Sequence, residues 1–454
     1  MNFFSKLNKL LFPYAAEYPK NGAAKTITLG FQHAFAMSCA TVLVPLIVGL
    51  DVGVALLAAG VGTLIFHLCT GGRMPTFLGS SFAFIAALLG VIGNSAFGAT
   101  HDAQVAAAMG GVIAAGVIYL LIALIIKIFG YKVIEFLFPP VVRGVGIAII
   151  GLGLASWAIT LVQSNIGFEM FSAGYYWSWL LAGVTALVAI FLSCRTTGMM
   201  KLASVVIALV TGYVLCLIIV KTGIAPAELM NTAAIAQHSW FEVPHLVFPT
   251  FSWSAIALIA PIAIVTCVEH FGDVYANGAV VGKDFYKKPG FHRTLLGDGL
   301  ASIFAGFVGA PPNTTYSENT AVLAVTGNYN PASIRVAALI AIIVAFLGKA
   351  IGVIETIPDP VLGGACIVLY GMISSVGLRT LVEYRVDFKK NRNMSIAAVM
   401  LVLAIGGATI GTSSFNFSGI ALGVLAGILL NLILPGKEKV VPLSDPEAPE
   451  PAAE

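Results

Sequence analysis

The sequence predicts an all-α polytopic membrane protein, and three observations lead to this prediction. Of the 454 residues, 58% are apolar and only 10% are charged, whereas a soluble domain carries about 25% charged residues. The mean hydropathy is +0.95. The apolar runs are long and continuous, as helices that cross a bilayer about 30 Å thick must be, and they lack the alternation of transmembrane β-strands.

Twelve apolar runs are long enough to cross a membrane as helices, and two more are too short. The two short runs, 76–89 and 314–326, begin after Pro75 and after Pro311-Pro312, and we interpret them as discontinuous half-helices. Together the runs make fourteen transmembrane segments. The full-length spans are predicted at residues 28–50, 53–71, 104–128, 139–160, 176–194, 201–221, 253–276, 294–309, 333–354, 359–380, 393–411 and 417–434.

The distribution of lysine and arginine predicts the orientation, because these residues accumulate in cytoplasmic loops. With the N-terminus inside and fourteen segments, Lys221 and Lys349 are the only two of the 24 lysines and arginines on the outer side. We therefore predict a multi-pass protein of the cell (plasma) membrane with both termini in the cytoplasm. Residues 1–27 form a cytoplasmic N-terminal segment, and the Pro- and Glu-rich residues 436–454 form a disordered cytoplasmic tail.

An internal repeat relates the two halves of the chain. The pattern Val-Ile-Glu, followed after four residues by Pro-Val, occurs at residues 133–141 and again at 353–361. A second match between the two halves relates Ser80 of the first predicted half-helix to Ser317 of the second. Because each copy holds seven segments, an odd number, the second copy must be inverted relative to the first.

The repeat divides the chain into two units joined by a loop. The first inverted repeat (segments 1 to 7) is predicted at residues 28–223, the extracytoplasmic loop at 224–252 and the second inverted repeat (segments 8 to 14) at 253–435. Inverted repeats with interrupted helices are the design of secondary transporters, in which half-helix N-termini direct backbone N–H groups at the substrate. Channels and membrane enzymes also have Gly- and Pro-rich helical cores, so these classes stay open on this pattern alone.

Four acidic residues lie in the interior of the predicted segments rather than at a terminal residue, and an ionisable group there is unfavourable unless it faces a cavity or a partner. Glu269 and Asp273 are four residues apart and therefore share one helix face. Glu318 follows a proline break, where unwound backbone lines a cavity, so we expect Glu269 and Glu318 to bind the substrate. Asp298 lies near the start of its span, and a structural hydrogen bond and a substrate role are both open for it.

Neighbouring carboxylates in a shielded site share and exchange protons, which favours a proton as the coupling ion. We assign proton coupling to Glu269, Asp273 and His270. The intramembrane histidines His33 and His270 stay ambiguous, because such histidines are often structural hydrogen-bonding residues. The six cysteines and seven histidines have no spacing that predicts a metal site, a disulfide or a cofactor, and no basic patch with interleaved aromatic residues predicts nucleic-acid binding.

The residue types in the predicted site suit a flat, neutral molecule with several hydrogen-bonding groups. The carboxylates of Glu269 and Glu318 accept hydrogen bonds from ring N–H groups, while half-helix N-termini donate to ring carbonyls. Phe82, Tyr316 and Tyr370 supply aromatic surface. The imide edge of a uracil-like base matches this pattern, whereas the two acids would repel an anion.

Four motifs resemble those of the nucleobase-ascorbate transporter family, also called nucleobase:cation symporter 2, which includes bacterial uracil and xanthine permeases. They are Gln32-His33, the run Gly79 to Phe84, Glu269-His270 and the run Asn313 to Asn319. The resemblance extends over residues 20 to 435. It implies two inverted repeats that form a core domain (segments 1 to 4 and 8 to 11) and a gate domain (segments 5 to 7 and 12 to 14), and a homodimer.

The resemblance also implies roles for individual residues. It places the two acids that bind the base at Glu269 and Glu318, and it implies that Gln32 and His33 support the first half-helix. Further substrate contacts are implied for Phe82, Ser81, Ser317, Tyr316 and Tyr370, and further supporting roles for Asp298 and Asn319.

The resemblance leaves two substrate classes open. The acid Glu318 at the start of the signature Glu-Asn-Thr-Ala-Val-Leu-Ala-Val-Thr-Gly resembles the uracil branch, whereas purine carriers tend to have Gln there. Asp273 together with Asp298 resembles the xanthine and urate branch. We therefore expect proton-coupled symport of a nucleobase, chiefly uracil, with xanthine or another purine as the alternative. An anion transporter of the same architecture is a less favoured reading, and an enzyme is not expected.

Overall fold

The computed structural model describes residues 11–436, apart from residue 20 and residues 164–167 and 413–414. The first ten residues of the predicted N-terminal segment, and the predicted tail beyond Gly436, lie outside the described residues. Within the described part, long apolar stretches rich in Leu, Ile, Val and Ala form helices, and Gly and Pro mark most of the breaks between them.

Among the described residues, ten α-helices lie in the part of the chain assigned to the first repeat. In chain order they are α1 (Ala23–Val48), α2 (Val52–Cys69), α3 (Ile85–Val91), α4 (His101–Phe129), α5 (Lys132–Leu137), α6 (Pro140–Gly153), α7 (Ala155–Gln163), α8 (Ala173–Arg195), α9 (Gly198–Leu202) and α10 (Ser204–Lys221). A short 3₁₀-helix, Phe82–Phe84, leads into α3, and strand β1 (Leu78–Ser80) precedes it.

Ten further α-helices and three strands follow in the described residues. The helices are α11 (Ala233–Gln237), α12 (Trp253–Ile259), α13 (Ile262–Val281), α14 (Phe291–Val308), α15 (Ser317–Thr326), α16 (Pro331–Ala345), α17 (Gly348–Glu355), α18 (Asp359–Glu383), α19 (Asn391–Ile405) and α20 (Gly419–Ile433). The strands are β2 (Asn313–Thr315), β3 (Thr409–Thr412) and β4 (Phe415–Ser418).

A multi-pass helical membrane protein is confirmed. In the part of the chain that the structure describes, eight helical spans are long and apolar enough to cross a membrane, or nine if the bent pair α16 and α17 forms one span. Each of the fourteen predicted segments contains a helix. The count of fourteen crossings, the inversion of the repeats and the division into core and gate domains stay predictions.

Two predicted continuous spans are interrupted. Residues 139–160 contain α6 and α7, which are separated at Leu154, and residues 253–276 contain α12 and α13, which are separated at Ala260-Pro261. At the second break the reason is local, because proline has no N–H to continue the helix and its ring disfavours the preceding turn.

The predicted span at residues 333–354 is bent by 83° between α16 and α17. This bend leaves carbonyl groups without helical partners. The backbone N–H of Glu242, in the loop that precedes the second repeat, donates to the carbonyl of Phe346 at 3.2 Å. The loop thus compensates part of the hydrogen bonding that the bend removes.

Two span boundaries also differ from the prediction. Helix α1 begins at Ala23, before the predicted start at residue 28. Helix α19 ends at Ile405 because Gly406 follows it and Gly407 adopts a positive φ of 64°. The chain then enters an antiparallel hairpin of β3 and β4, so the predicted helix to residue 411 is wrong at its end.

The two predicted half-helices begin later than expected, because their first residues form a pair of strands. Strands β1 and β2 are antiparallel, with Leu78 opposite Thr315 and Ser80 opposite Asn313. Backbone groups at an interruption inside a membrane protein must find partners within the protein, and each strand supplies them to the other. The all-α prediction is therefore wrong at this point, while the interruptions themselves are where the prolines predicted them.

The glycine at the centre of this strand pair is required by close packing. Strand residue Gly79 lies opposite Thr314, and a Cβ atom at Gly79 would lie 2.5 Å from both Thr41 Oγ1 and the ring of Tyr316. A larger residue would displace the side chain of Thr41 or the ring of Tyr316. The glycine thus allows both side chains to pack directly against β1.

Side chains from two long helices hold the strands in place. Thr63 of α2 accepts a hydrogen bond from the N–H of Leu78 at 2.9 Å, and Ser302 of α14 donates to the carbonyl of Asn313 at 2.9 Å. The side chain of Asn313 donates to the carbonyl of Ala58 in α2 at 2.8 Å. Helices from both halves of the chain therefore position the strand pair.

Candidate substrate site

The candidate site is centred on the first turn of α15. Ser317 and Glu318 begin this helix directly after β2, and both are exposed. Glu318 nevertheless lies deep among the surrounding helices. A side chain that is deep in the molecule and still accessible faces an internal cavity. The first N–H groups of a helix have no intrahelical partners, so this helix N-terminus presents hydrogen-bond donors beside the carboxylate.

One face of α13 supplies the second wall of the site. Glu269 and Asp273 lie one helical turn apart on α13, as predicted, and both are half-exposed. Asn277 continues the same face, but it is fully buried and donates to the carbonyl of Pro75 at 2.9 Å and to Thr320 Oγ1 at 3.0 Å. Helix α13 packs against α15. This face of α13 therefore carries two acids beside the site, and the amide of Asn277 connects the two half-helix regions by hydrogen bonds.

The acids of the two walls lie close enough to interact. The charge of Glu318 acts on Glu269, and the charges of both glutamates act on Asp273. The structure thus brings Glu269, Asp273 and Glu318 together around one space. Carboxylates whose charges interact in this way influence each other's protonation.

Asp298 does not face the cavity. It is fully buried in α14, and its Oδ2 atom lies 2.9 Å from Nδ1 of His270. His270 is also buried, and its Nε2 atom lies 2.8 Å from the hydroxyl of Thr294. The two residues form a polar pair behind the acidic face of α13, and the structural alternative considered for Asp298 fits this position.

Thr315 connects this pair to the cavity. Its hydroxyl donates to Oδ2 of Asp273 at 3.0 Å and lies 3.3 Å from Nδ1 of His270. Hydrogen bonds therefore connect Asp273 through Thr315 to His270, and a charge contact connects His270 to Asp298. Sequence reasoning assigned no role to Thr315, because a threonine in an apolar stretch gives no periodic or charge signal.

Gln32 and His33 are adjacent residues of helix α1. His33 is fully buried in α1, and its carbonyl and Nδ1 are both contacted by the side-chain amide of Asn319, at 3.1 and 3.2 Å. Asn319 belongs to α15, so His33 is bonded to the second half-helix, while helix α1 as a whole packs against both half-helices, and support of the first half-helix by Gln32 and His33 stays a prediction. The buried Oε1 atom of Gln32 has no hydrogen-bond partner among the described residues.

Aromatic side chains close one side of the site. Phe82 is half-exposed and meets the ring of Tyr370 edge-on, with 5.9 Å between the ring centroids. Tyr370 of α18 is 2% exposed. An edge-to-face pair is a stable arrangement for such rings, and it joins the first half-helix region to α18.

The predicted contacts of Tyr316 and Ser81 are constrained by internal bonds. The hydroxyl of Tyr316 donates to the carbonyl of Ser80 at 2.7 Å and accepts from Thr41 at 3.2 Å. The N–H of Ser81 donates to the carbonyl of Pro312 at 3.1 Å. Substrate contacts by these residues stay predictions, and these particular groups already have partners in the protein.

Interrupted helices that meet at a strand pair, with carboxylates facing a cavity beside them, are the arrangement of a membrane transporter. A family model described as "Permease family" matches residues 24–412. The chain belongs to this family of permeases, the nucleobase-ascorbate transporter family. It is a transporter and not an enzyme.

Several relatives match most of the chain. It is 43% identical over 418 residues to the uracil permease of Bacillus caldolyticus, covering 90% of this chain and 92% of the relative. The uracil permease of Bacillus subtilis (strain 168) is 39% identical over 420 residues, with coverage of 90% and 92%. The uracil permease of Escherichia coli (strain K12) is 34% identical over 412 residues, with coverage of 90% and 91%.

Solved structures of more distant proteins share the fold. The structure of SLC26A9 superposes with a TM-score of 0.67 at 14% identity, covering 94% of this chain and 68% of that chain. The transmembrane domain of the cyanobacterial bicarbonate transporter BicA superposes with a TM-score of 0.59 at 17% identity, covering 90% of this chain and 96% of that domain. At such identities the likeness concerns the fold alone.

Proposed function

We propose that this permease carries a nucleobase, uracil, across the cell membrane into the cell by symport with protons. The observation that carries the proposal is the placement of Glu318 at the N-terminus of α15, where its charge acts on Glu269 of α13. The matched uracil permeases support the choice of uracil.

The site chemistry fits a neutral pyrimidine. Ring N–H groups of uracil donate to the carboxylates of Glu269 and Glu318, and bonds to charged groups are stronger than neutral ones. Ring carbonyls accept from backbone N–H groups at the starts of the half-helices. Phe82, held edge-on by Tyr370, offers an aromatic face for the flat base.

The alternative substrate is xanthine or another purine. That reading rests on the resemblance of Asp273 together with Asp298 to the xanthine and urate branch. The matched uracil permeases favour uracil. An anion is disfavoured because Glu269, Asp273 and Glu318 surround the same space, and the fold shared with SLC26A9 and BicA says nothing of the substrate.

A proton is the proposed coupling ion. Asp273 is half-exposed beside Glu269 and is bonded to Thr315, so it can exchange a proton with the cavity without being the main ligand of the base. Glu269, Asp273 and His270 are the proposed coupling residues. We further propose cytoplasmic termini, a core domain that moves relative to a gate domain, and a homodimer in the lipid bilayer.

The test is uptake into proteoliposomes that contain the purified protein. An inward-directed pH gradient should concentrate labelled uracil, a protonophore should abolish this, and unlabelled uracil should compete better than xanthine, thymine or ascorbate. If xanthine competes more strongly than uracil, the transported base is a purine and the assignment of uracil is wrong. Uphill uptake driven by a Na⁺ gradient without a pH gradient would refute proton coupling.

A further inference from the structure

The hydroxyl of Thr315 lies between two groups of the site that exchange protons. It donates to Asp273 at 3.0 Å and lies 3.3 Å from His270 Nδ1. A hydroxyl carries one hydrogen and can point it at only one of these atoms at a time. The direction of this single hydrogen therefore depends on which neighbour holds a proton.

The neighbouring hydrogen bonds determine the state of His270. Thr294 donates its only hydrogen to the carbonyl of Phe291 at 3.1 Å, so at the 2.8 Å contact it accepts from Nε2 of His270. Nε2 therefore carries a hydrogen. While Thr315 donates its only hydrogen to Asp273, the hydrogen bond between Thr315 and Nδ1 requires a hydrogen on Nδ1.

Protonation of Asp273 reverses its bond to Thr315. While Asp273 is a carboxylate it only accepts, and Thr315 donates to it. When a proton from the cavity forms an O–H bond on Asp273, this group becomes the donor and the Thr315 hydrogen turns to the acceptor within reach, Nδ1 of His270. Asp298 Oδ2 lies 2.9 Å from Nδ1 in a charge contact. Nδ1 can accept only after its own hydrogen has moved to the nearby Oδ2 of Asp298, so one N–H bond breaks and one O–H bond forms there.

Thr315 also belongs to the backbone that shapes the substrate site. It is the last residue of β2, opposite Leu78 of β1, and Tyr316 after it donates its N–H to the carbonyl of Phe77 at 3.0 Å. Ser317 and Glu318 follow directly. A change in the bonds of the Thr315 side chain thus acts on the strand that positions the substrate-binding carboxylate.

We propose that Thr315 is a positioning residue that couples the protonation of Asp273 to the geometry of the substrate site. The proposal rests on the proposed function as a proton-coupled uracil carrier. The charged groups around Thr315 are Glu269, His270 and Asp273 on α13, Asp298 on α14 and Glu318 on α15. Among the described residues, Thr315 is the one that hydrogen-bonds directly to Asp273 and also belongs to the strand pair.

The decisive variant is Thr315→Val, which keeps the shape of the side chain and removes the hydroxyl. Uracil binding is measured by calorimetry on the full-length protein across about pH 5 to 8, the range around the ordinary pKa of histidine. Uptake is measured in proteoliposomes with an imposed pH gradient. Thr315→Ser restores the hydroxyl, and Thr314→Val is a matched control, because successive strand residues point to opposite faces.

In Thr315→Val the pH dependence of uracil affinity should flatten, and gradient-driven accumulation should fall at least about tenfold, the effect of one hydrogen bond to a charged group. Thr315→Ser should regain both properties, and Thr314→Val should keep them. Thr315→Ala replaces the valine variant if the latter does not fold. If the parent responds to pH and the hydroxyl-free variant responds identically, the role of Thr315 is refuted while the proposed function stands.

Two further outcomes would also overturn the inference. Equal loss of binding at every pH in Thr315→Val and in Thr315→Ser would show a role in packing only. Absence of pH-dependent uracil binding in the parent protein would refute the proposed function, and with it the role of Thr315.

Discussion

Asn319 donates its side-chain amide to both the backbone carbonyl and the ring nitrogen Nδ1 of His33, at 3.1 and 3.2 Å. The two residues are separated by 286 positions and are both fully buried. The bond joins α1 to the half-helix that carries Glu318. Asn319 follows Glu318 directly in the chain, so this contact helps to fix the orientation of the substrate-binding carboxylate.

Asn319→Asp should therefore impair both stability and transport. The substitution replaces the donating amide by a carboxylate that faces the His33 carbonyl, and an unpaired buried group costs about 1–3 kcal/mol or more when charged. Thermal unfolding and uracil uptake measure the effect. Asn94→Asp is the control, because Asn94 is exposed and uses its side-chain oxygen as an acceptor for Ala96, which Asp retains. Equal behaviour of the two variants would contradict the prediction.

Glu318→Gln should weaken uracil binding about 5- to 150-fold, as expected for a loss of about 1–3 kcal/mol. The amide offers a donor where the ring N–H needs an acceptor. Calorimetry on the purified variant gives the affinity. Glu383→Gln serves as a control at an exposed ion pair with Arg379. Unchanged uracil affinity in Glu318→Gln would show that Glu318 does not bind uracil.

The three acids that the sequence singled out lie near one another in the structure, and there is a physical reason why the sequence could single them out. Charged residues are unfavourable in a bilayer, so Glu269, Asp273 and Glu318 were recognisable by their positions inside apolar segments. The prolines marked the second interruption. The same reasoning could not assign Asp298, since a buried acid and a cavity acid have the same sequence signature until its partner, His270, is known.

Other features had no local signal in the sequence. Strands β1 and β2 are three residues long, and their partners lie in opposite halves of the chain, so no periodicity reveals them. The 83° bend between α16 and α17 has no proline within it and depends on contacts with the preceding loop. The pairing of His33 with Asn319 likewise depends on how α1 and α15 pack.

Asp273→Asn and Glu269→Gln should separate proton coupling from binding. The amide at residue 273 resembles the protonated acid, so equilibrium binding of uracil should survive with a weaker pH dependence, while gradient-driven uptake collapses. Glu269→Gln should abolish binding because a direct ligand is changed. Calorimetry from about pH 5 to 8 and proteoliposome uptake distinguish the two. Asp273→Asn that accumulates uracil like the parent, with the same pH profile, would make Asp273 structural.

The proposed orientation is tested by cysteine labelling in intact cells. A single cysteine placed in the loop at residues 224–252 should react with an impermeant thiol reagent, whereas one placed at 381–392 should not. The reason is the charge asymmetry of the loops, with the second loop rich in Lys and Arg. A variant without the six native cysteines is the background. Labelling in the reverse pattern would show that the proposed orientation is wrong and that both termini lie outside the cell.

The final prediction concerns a charged cluster between the 224–252 loop and the end of α17. Nδ1 of His238 lies 2.6 Å from Glu242, and Nε2 lies 3.0 Å from Glu355. Carboxylates only accept hydrogen bonds, so both ring nitrogens carry hydrogens and the ring is an imidazolium. Lys349 of α17 adds a bond to the carbonyl of Ile235 at 2.7 Å, so the loop is docked on α17 by charge.

The shifts of the pKa values predict when this docking is lost. The hydrogen bond to Glu242 raises the pKa of His238, with a further contribution from Glu355, and the same bond lowers the pKa of Glu242. Protonated His238 stabilises the docked loop. This stabilisation is complete below the unfolded pKa of about 6.5 and is lost as the pH rises through the raised pKa of His238 in the folded protein. The Glu242 contribution is lost only as the pH falls through its lowered value.

The loop should therefore be held at mildly acidic pH and released at alkaline pH. Trp240 and Phe241 are 75% and 77% exposed, so chymotrypsin can report the release through cleavage beside them. After correction with a reference peptide, cleavage should accelerate as the pH rises from about 6 to 9, above the ordinary pKa of histidine. His238→Gln should be cleaved rapidly at every pH, whereas His245→Gln, at a more exposed pair with Asp102, should keep the parental profile. A parental cleavage rate that is independent of pH, or a His238→Gln variant that keeps the parental pH profile, would show that the loop is held by its other contacts with α17.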